Sequence, residues 1–330
     1  MKIAVDAMGG DFSPIEIVHG ACDFAKENPS IEIVLIGSQD GIDNTVAERP
    51  DGKPGNIEYI YTNSVVTMED DPMIVMKEKN DSSMAVGLKL LKEGGADAFV
   101  SAGSTGALHV ASSLIVRKIR GIRRSAIATV IPFKNPILML DSGANPDVTP
   151  DILNSWAVVG SAYYSNMFNQ KSPRVGLLNN GTEEHKGTDT VKAAYQLLKN
   201  NDKINFVGNI ESKELPLCPC DILITDGFTG NVTLKLIEGM GKFMFTSLKE
   251  IFMTSFKTKM AYLLTKKQLK SFKKSFDSSE YGGAPLLGLC KPVIKAHGSS
   301  KRKEIKSAMR QAVQYYESKI IEKVDNSLNS

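Results

Sequence analysis

Glycine-rich polar segments follow five short apolar runs in this 330-residue sequence, and they are its clearest candidates for chemistry. Glycine lets backbone amides approach an anion closely, and the first amides of a helix favour negative charge. The turn made by Gly103, Ser104, Thr105 and Gly106 is therefore a candidate cradle for a phosphate or an oxyanion. The alternative is a tight strand-to-helix turn in which serine or threonine only caps the helix. The five segments are 6–11 (DAMGGD), 101–107 (SAGSTGA), 141–147 (DSGANPD), 179–187 (NNGTEEHKG) and 226–231 (DGFTGN).

Short runs rich in isoleucine and valine alternate with amphipathic stretches, and this pattern predicts the elements that position the turns. Strands that alternate with helices form a mostly parallel, doubly wound sheet. The carboxyl ends of parallel strands meet at one edge, so we expect all five turns to line one crevice there. The predicted helices are 14–25, 83–92 and 188–198. The predicted strands are 3–5, 31–36, 57–61, 98–100, 126–131, 137–140, 175–178 and 222–225.

Several common enzyme signatures are absent from the sequence. It contains no G-x-G-x-x-G, no G-x-x-x-x-G-K-[ST], no H-E-x-x-H and no G-x-S-x-G. Its four cysteines lack the paired C-x-x-C spacing of a zinc site, so we expect no metal and reduced thiols. Of the four scattered histidines, His297 stands out because it follows an apolar run within AHGSS. A catalytic role for His297 and an ordinary surface position are both open at this point.

Composition places the chain among globular proteins and excludes some partners. Hydrophobic residues make up 42% of the sequence, alongside 27 glycines, which argues against wholesale disorder. The formal charge of +3 is too small for a protein held on nucleic acid by bulk charge alone. The sequence shows neither a leader-peptide pattern nor an uninterrupted apolar run, so we expect neither secretion nor a transmembrane helix.

Residues 242–274 differ from the rest because nine lysines and one acid, Glu250, give this segment a charge of +8 (9 − 1). Basic amphipathic helices suit a membrane surface or an acidic partner. The alternative is an ordinary surface helix pair packed on the sheet or on a second subunit. A second apolar stripe across 305–324 predicts a helix docked on the protein. Apolar residues recur in the basic segment at helical spacing: Phe245, Leu248, Phe252, Phe256, Leu269, Phe272 and Phe276.

Longer motifs, taken in this order, resemble one family closely: the phosphate acyltransferases of bacterial phospholipid synthesis. Members of that family make acyl phosphate from acyl-acyl carrier protein and inorganic phosphate. The resemblance spans about residues 1–315. The matching strings are IAVDAMGGD (3–11), DP (71–72) with K-x-K-x-D-S-S-M (77–84), VSAGSTGAL (100–108), RGI (120–122), DSGAN-x-D-x-x-P (141–150), PRVGLLNNGTEEHKG (173–187), FVGNIE (206–211), DGFTGNV (226–232), YGGAPLLG (281–288) and HGSS (297–300).

The resemblance implies an α/β fold, a three-layer α/β/α sandwich similar to the isocitrate dehydrogenase-like and phosphotransacetylase-like enzymes. It implies one acyltransferase domain over residues 1–330, with residues 242–280 as a basic amphipathic helical protrusion. It also implies a cytoplasmic homodimer that associates peripherally with the inner face of the cell membrane. The product would pass to a membrane acyltransferase that acylates glycerol 3-phosphate. No cofactor and no nucleic acid are expected.

The reaction implied by the resemblance needs few catalytic groups. Phosphate dianion is a nucleophile near neutral pH, and a thiol with a pKa of roughly 8.5 departs without a strong acid. We therefore expect direct attack on the thioester, without an acyl-enzyme. Lys186 is expected to neutralise charge, unless it is a solvated residue at a helix start. Asn231 is expected to donate hydrogen bonds, and Asp226 and His297 to orient partners or handle the thiol proton. Phosphate is expected to contact Gly103, Ser104, Thr105, Gly106, Asn145 and Asn179.

Two basic regions are expected to bind partners. Acyl carrier proteins are acidic, so complementary charge speeds their encounter with a basic patch. Arg117, Arg120, Arg123 and Arg124 are expected to form that patch, with a solvated helix end as the alternative. Phe252, Phe256, Lys266, Lys267 and Phe272 are expected to contact the membrane. Two rival functions stay open: a nicotinamide-dependent oxidoreductase on a related fold, and a non-catalytic peripheral-membrane scaffold that senses lipid.

Overall fold

The computed structural model describes residues 1–274, 276 and 282–329. The chain divides into unit 1, Met1–Ala128 with Val158–Lys171 and Tyr281–Ser330, and unit 2, Thr129–Ala157 with Ser172–Glu280. The strands are β1 (Lys2–Asp6), β2 (Glu32–Gly37), β3 (Ile57–Tyr61), β4 (Ala98–Ser101), β5 (Ala126–Ile131), β6 (Ile137–Leu140), β7 (Arg174–Asn179), β8 (Asn205–Glu211), β9 (Ile222–Ile224), β10 (Ala284–Leu287) and β11 (Val293–Lys295). The α-helices are α1 (Ile15–Glu27), α2 (Gln39–Ala47), α3 (Ser83–Lys92), α4 (Thr105–Ala111), α5 (Pro150–Phe168), α6 (Asp189–Lys199), α7 (Gly227–Phe252), α8 (Phe256–Lys274), α9 (Arg302–Glu317) and α10 (Ile320–Asn329).

The strands of unit 1 follow the order β3-β2-β1-β4-β11-β10-β5. β10 is antiparallel to both of its neighbours, and the other paired strands run parallel. In the central pair, Ile3 lies opposite Ile33 and Val5 lies opposite Leu35, and all four side chains are buried. Strands buried on both faces read as continuous apolar runs, which explains why these runs do not alternate with polar residues.

The strands of unit 2 follow the order β6-β9-β7-β8 and are all parallel. Close packing between β7 and β8 depends on Gly176, where a Cβ atom would overlap the side chain of Ile210. A buried apolar cluster lies against these strands and includes Ile137, Met139, Leu178, Ile210 and Leu223. This core fixes the carboxyl ends of β6, β7 and β9, from which three of the polar turns extend.

Side-chain caps mark where several of the described helices begin. Ser82 accepts a hydrogen bond from the amide of Ala85 and starts α3, and Ser104 accepts one from Ala107 and starts α4. Thr188 and Asp226 do the same for α6 and α7. Each cap satisfies an amide that the helix leaves unpaired. The turns at 101–107 and 226–231 therefore contain the residue that caps the helix following them.

The predicted α/β class with a mostly parallel sheet is confirmed. The predictions for β3, β5, β6 and α3 match the observed bounds, and the other predicted strands and helices lie close to theirs. Five elements were not predicted from the sequence: α2, α5, β8, β10 and β11. β10 and β11 are short and carry Pro285 and a lysine, so their residues lack a strong strand pattern.

Two predicted helical regions differ in their bounds. The stripe at 305–324 belongs to two helices, because Lys319 adopts a positive φ of 51° between α9 and α10. Within α9, Tyr315 is buried, whereas Tyr316 is 41% exposed. The basic segment belongs to α7 and α8, and α7 begins at Gly227, well before residue 242. Residues 275 and 277–280 of the predicted protrusion lie outside the described residues, and the single acyltransferase domain over 1–330 stays a prediction.

Candidate active site

The turns that follow β1, β4 and β11 lie together at the carboxyl edge of unit 1. The amide of Ala296 donates to the carbonyl of Ser101 (2.9 Å), and that of Asp11 donates to Gly298 (2.8 Å). Gly10 has a φ of +106°, and a Cβ atom there would lie 3.0 Å from the carbonyl oxygen of Gly298. Two of the five predicted polar segments therefore meet, and AHGSS joins them.

Asp6 is a buried carboxylate at the centre of this edge. Its Oδ1 accepts hydrogen bonds from Ser83 Oγ (2.6 Å) and the Met8 amide (3.2 Å), and its Oδ2 accepts from Ser101 Oγ (2.7 Å). Burial raises the pKa of Asp6, and the two serine hydrogen bonds oppose that rise. Sequence reasoning did not single out Asp6, although an acid at the end of an apolar strand was a usable signal.

The Asp6 carboxylate is connected to the Gly103–Gly106 turn by hydrogen bonds through Ser101. Ser101 donates its hydroxyl proton to Asp6, and its oxygen accepts a hydrogen bond from the Gly103 amide (3.0 Å). Ser104 caps α4, the role that the sequence analysis gave as the alternative to anion binding. The Gly103 amide and the Ser104 hydroxyl are thus engaged within the turn, whereas Thr105 and Gly106 begin the helix. Phosphate binding by the turn stays a prediction.

Lys295 is a site residue that sequence reasoning missed. It ends β11, is only 8% exposed, and donates from Nζ to the carbonyl oxygens of Ala102 (3.2 Å) and Ala296. Burial lowers the pKa of Lys295 to about 8, although the carboxylates of Asp6 and Asp11 act to raise it. The available signal was a single charged residue inside the apolar run that precedes AHGSS.

His297 lies on the surface of unit 1, two residues after Lys295. Its Nδ1 accepts from the Ser299 amide (3.3 Å) and lies 2.8 Å from Ser299 Oγ. These two contacts hold one ring nitrogen of His297 against its own turn. The side chain is exposed, and its predicted catalytic role stays a prediction.

In unit 2, Asp141 organises the turn after β6. Its fully buried carboxylate accepts from the amides of Gly143 (3.2 Å) and Ala144 (3.1 Å). It also accepts from both the backbone amide (2.6 Å) and the side-chain nitrogen (2.8 Å) of Asn145. Asn145, predicted to bind phosphate, is therefore oriented by a carboxylate and is itself buried.

The start of α7 packs directly on this turn. The Gly227 amide donates to the Asn145 carbonyl (2.7 Å), and a Cβ atom at Gly230 would overlap the carbonyl oxygen of Asp141. Asn231 follows, and its side chain lies 3.6 Å from where a Gly143 Cβ atom would be. The structure thus brings the predicted residues Asn145 and Asn231 to the same turn.

Asp226 caps α7, with Oδ1 accepting from the Thr229 amide (2.8 Å) and Oδ2 from the Thr229 hydroxyl (2.7 Å). Both carboxylate oxygens are therefore occupied within the helix start. This arrangement gives Asp226 a structural role, and its predicted part in catalysis stays a prediction.

The turn at 179–187 presents Lys186 at its surface. Asn179 Nδ2 donates to the Lys186 carbonyl (3.1 Å), and its Oδ1 accepts from the Asn180 amide (2.8 Å). The buried Asn209, which sequence reasoning missed, donates to the Glu183 carbonyl (3.0 Å). The Lys186 side chain is exposed, and within the described part of the chain no hydrogen bond or ion pair holds it. Asn179 thus shapes the turn, and Lys186 is available to a ligand.

A cavity of about 270 Å³ lies within unit 2, at the carboxyl ends of β6, β7 and β9. One part of its wall is apolar and another carries hydroxyl and carboxylate groups. Two of the five predicted turns, 141–147 and 226–231, contribute to its lining, and residues on both sides of the 179–187 turn do as well. The crevice predicted for all five turns stays a prediction. The lining residues are Pro146, Asp147, Val148, Leu153, Leu177, Leu178, Thr188, Thr190, Val191, Thr225 and Asp226.

The residues predicted to bind partners lie on the surface. Arg117, Arg120, Arg123 and Arg124 are all exposed in unit 1, between a π-helical turn at Ser112–Val116 and β5. In the α7–α8 hairpin, Phe252 packs on Tyr262 and Phe272 on Phe245, so these two predicted membrane residues contribute to the hairpin itself. Phe256 is 80% exposed, and Lys266 and Lys267 are exposed as well. Among the described helices, none has the length and apolar character needed to cross a bilayer.

Comparisons with known proteins identify the family of the chain. A family model described as "Fatty acid synthesis protein" matches residues 1–323. The chain is 45% identical to a phosphate acyltransferase of Alkaliphilus oremlandii, covering 100% of this chain and 98% of that protein. It is 44% identical to a phosphate acyltransferase of Caldicellulosiruptor bescii, covering 97% and 96%.

The fold is also similar to that of a solved structure. A phosphotransacetylase from Streptococcus pyogenes has a TM-score of 0.64 at 20% identity, covering 98% of this chain and 94% of that one. This similarity confirms the expected phosphotransacetylase-like fold. On the match of the family model and the identity over nearly the full length, the chain belongs to the phosphate acyltransferase family and is an acyltransferase.

Proposed function

We propose that this chain transfers a fatty acyl group from acyl-acyl carrier protein to inorganic phosphate, giving acyl phosphate for phospholipid synthesis. The observation that carries the proposal is the cavity in unit 2, with Lys186 on the turn that leads into its wall. Its apolar part suits an acyl or thioester arm, and the exposed Lys186, two residues before the lining residue Thr188, would offset negative charge on an anionic nucleophile. The relatives' name, phosphate acyltransferase, supports the same reaction.

The reaction is proposed as a direct attack by phosphate. A phosphate oxygen bonds to the thioester carbonyl carbon, the carbon–sulfur bond breaks, and the proton of hydrogen phosphate passes to the departing thiolate. Lys186 would offset the charge of phosphate, and Asn231 would donate a hydrogen bond to the developing oxyanion. Positioning lowers such barriers by about 7–11 kcal/mol, and one oxyanion donor by about 3–4 kcal/mol. Neither a covalent intermediate nor a metal is needed for this route.

Partners and location follow from the same proposal. The exposed arginines at 117–124 would dock the acidic carrier protein, and the basic α7–α8 hairpin would hold the enzyme against an anionic membrane surface. Acyl phosphate is a reactive amphiphile, so release at the membrane would deliver it to an acyltransferase acting on glycerol 3-phosphate. We propose that the active form is a cytoplasmic homodimer.

The decisive experiment is an assay with acyl-acyl carrier protein and inorganic phosphate, in which acyl phosphate is trapped as the hydroxamate by hydroxylamine. Formation of hydroxamate only when protein, thioester and phosphate are all present is the expected result. Free thiol should appear in equal amount. Thiol release without hydroxamate would indicate hydrolysis and contradict the proposal.

A further inference from the structure

A buried charged cluster underlies the turns of unit 1, and the reaction described above does not use it. β1, β4 and β11 are adjacent and parallel, so the turns that follow them share one edge. Each turn contributes to the cluster: Asp6 ends β1, Ser101 ends β4 and Lys295 ends β11. Ser83, from the motif at 77–84, completes it by donating to Asp6.

Lys295 links two of these turns through its ammonium group. Nζ donates to the carbonyl of Ala102, which immediately precedes the glycine-rich turn, and to that of Ala296, which precedes His297. The side chain is 8% exposed, so its charge acts in a poorly solvated setting, where electrostatic interactions are stronger than in water. Burying an ammonium group without an ion-pair partner costs free energy of folding. We therefore look for a functional role for Lys295 at this turn.

Asp6 contacts the same turn through Ser101. Its carboxylate accepts a hydrogen bond from the Ser101 hydroxyl, and the serine oxygen in turn accepts a hydrogen bond from the Gly103 amide. A buried carboxylate is stabilised by positive charge nearby, and Lys295 is the cation whose pKa responds to Asp6 and Asp11. The conformation of residues 101–103 therefore depends on an acid and a base that are both buried.

We propose that Lys295 is a positioning residue for phosphate: with Asp6 it fixes the shape of the Gly103–Gly106 turn and adds positive charge beneath it. The inference rests on the proposed function, in which inorganic phosphate is a substrate, and on the sequence prediction that the Gly103–Gly106 turn binds it. It assigns Lys295 to the phosphate side of the reaction. Loss of Lys295 should weaken binding of phosphate and leave binding of the acyl donor unchanged.

The test compares Lys295→Met with Ser101→Ala and with a control, Lys291→Met, in which a nearby lysine outside the cluster is changed. KM is measured separately for inorganic phosphate and for acyl-acyl carrier protein. Lys295→Met should raise the KM for phosphate at least tenfold, the equivalent of about 1.4 kcal/mol, with the KM for the thioester within twofold. Ser101→Ala should shift the same constant in the same direction by a smaller factor, and Lys291→Met should match the wild type.

Binding of inorganic phosphate, measured by calorimetry on each folded variant, separates this inference from the proposed function. If the wild type forms no acyl phosphate but binds phosphate, and Lys295→Met loses that binding, the proposed reaction fails and the role of Lys295 stands. Unchanged phosphate KM and binding in folded Lys295→Met overturns the inference. Should that variant not fold, unchanged phosphate constants in Ser101→Ala overturn it. A wild-type protein that binds no phosphate overturns both.

Discussion

At the scale of single residues, Lys186 is the first side chain to test. It is exposed and unpaired within the described chain, so replacing it by alanine removes a charge without disturbing a structural contact. Lys186→Ala should lower turnover at least tenfold, the equivalent of one lost contact of about 1.4 kcal/mol. Lys192→Ala is the matched control, because Lys192 makes only a surface ion pair with Asp189, which contributes little to stability. Near-normal turnover of Lys186→Ala in the hydroxamate assay would remove Lys186 from the site.

Lys295 should also leave a signature in the pH dependence of stability. Burial lowers its pKa to about 8, whereas an unfolded lysine titrates near 10.5, so between these values the unfolded chain binds the extra proton. The free energy of unfolding of the wild type, relative to Lys295→Met, should therefore rise with pH across this window, by at most about 1.4 kcal/mol per pH unit. Urea denaturation at several pH values between 7.5 and 10 measures the difference. A difference that stays flat or falls over this range would contradict a lowered pKa.

At this scale, the sequence predicted which turns carry polar groups. It did not predict which of those groups form hydrogen bonds within their own turn and which remain available to a ligand. Asp226 and Asn179 were expected to meet the ligand, yet the structure shows their polar atoms engaged with their own turns. Such local hydrogen bonds compete with ligand binding, and a sequence does not reveal the outcome. Lys295 was missed because its burial depends on the pairing of β11 beside β4, a contact between residues nearly 200 positions apart.

At the scale of elements, the first turn of α7 depends on glycine. A Cβ atom at Gly230 would overlap the Asp141 carbonyl, so Gly230→Ala must push the helix away from the 141–145 turn. Such overpacking costs about 1–3 kcal/mol, and it should also reduce turnover because Asn231 moves with the helix. Gly239→Ala, in the same helix, is the control: no atom lies within 4 Å of its added Cβ, and alanine favours a helix by about 1 kcal/mol. Urea denaturation should show opposite shifts, and equal shifts would refute this packing argument.

Apolar runs and helix-ending glycines predicted most of the helices and strands. Elements whose formation depends on residues distant in the sequence were not predicted. β5, β6 and α3 were predicted with their observed bounds because their residues alone favour one structure. The division between α9 and α10 depends on Lys319 in a left-handed conformation that a lysine seldom adopts. The apolar stripe across 305–324 continues through this break, so the sequence pattern did not show that α9 ends there.

At the scale of the whole molecule, charge should govern the encounter with the carrier protein. Replacing Arg123 and Arg124 by glutamate reverses two exposed charges, which should lower the association rate and flatten its dependence on salt. Stopped-flow association with acyl carrier protein at several salt concentrations measures both quantities. Lys203→Glu with Lys213→Glu, an equal charge change in unit 2, serves as the control. If both double variants associate equally fast, the arginines are not the docking surface.

The α7–α8 hairpin joins exposed apolar residues to its lysines, and this combination should make binding to lipid reversible and dependent on charge. Phe256 and Leu264 are 80% and 78% exposed, while Phe272, 44% exposed, packs its ring against Phe245. Each lysine near an anionic surface contributes about 1 kcal/mol. Wild-type protein should sediment with phosphatidylglycerol vesicles at low salt and be released by high salt, with little binding to phosphatidylcholine.

Variants of the hairpin make that expectation specific. Phe256→Ser with Leu264→Ser, and separately Lys266→Glu with Lys267→Glu, should each lower the bound fraction, the second by at least about tenfold in partition coefficient. Leu217→Ser changes an equally exposed apolar side chain, 82% exposed, outside the hairpin and should bind as the wild type does. Wild-type protein that remains in the supernatant with anionic vesicles at low salt would exclude the hairpin as a lipid anchor. The remaining interpretations of the basic helices would then be an interface for an acidic protein, an interface for a second copy of the chain, or an ordinary surface helix pair, since charge and helical spacing alone do not distinguish them.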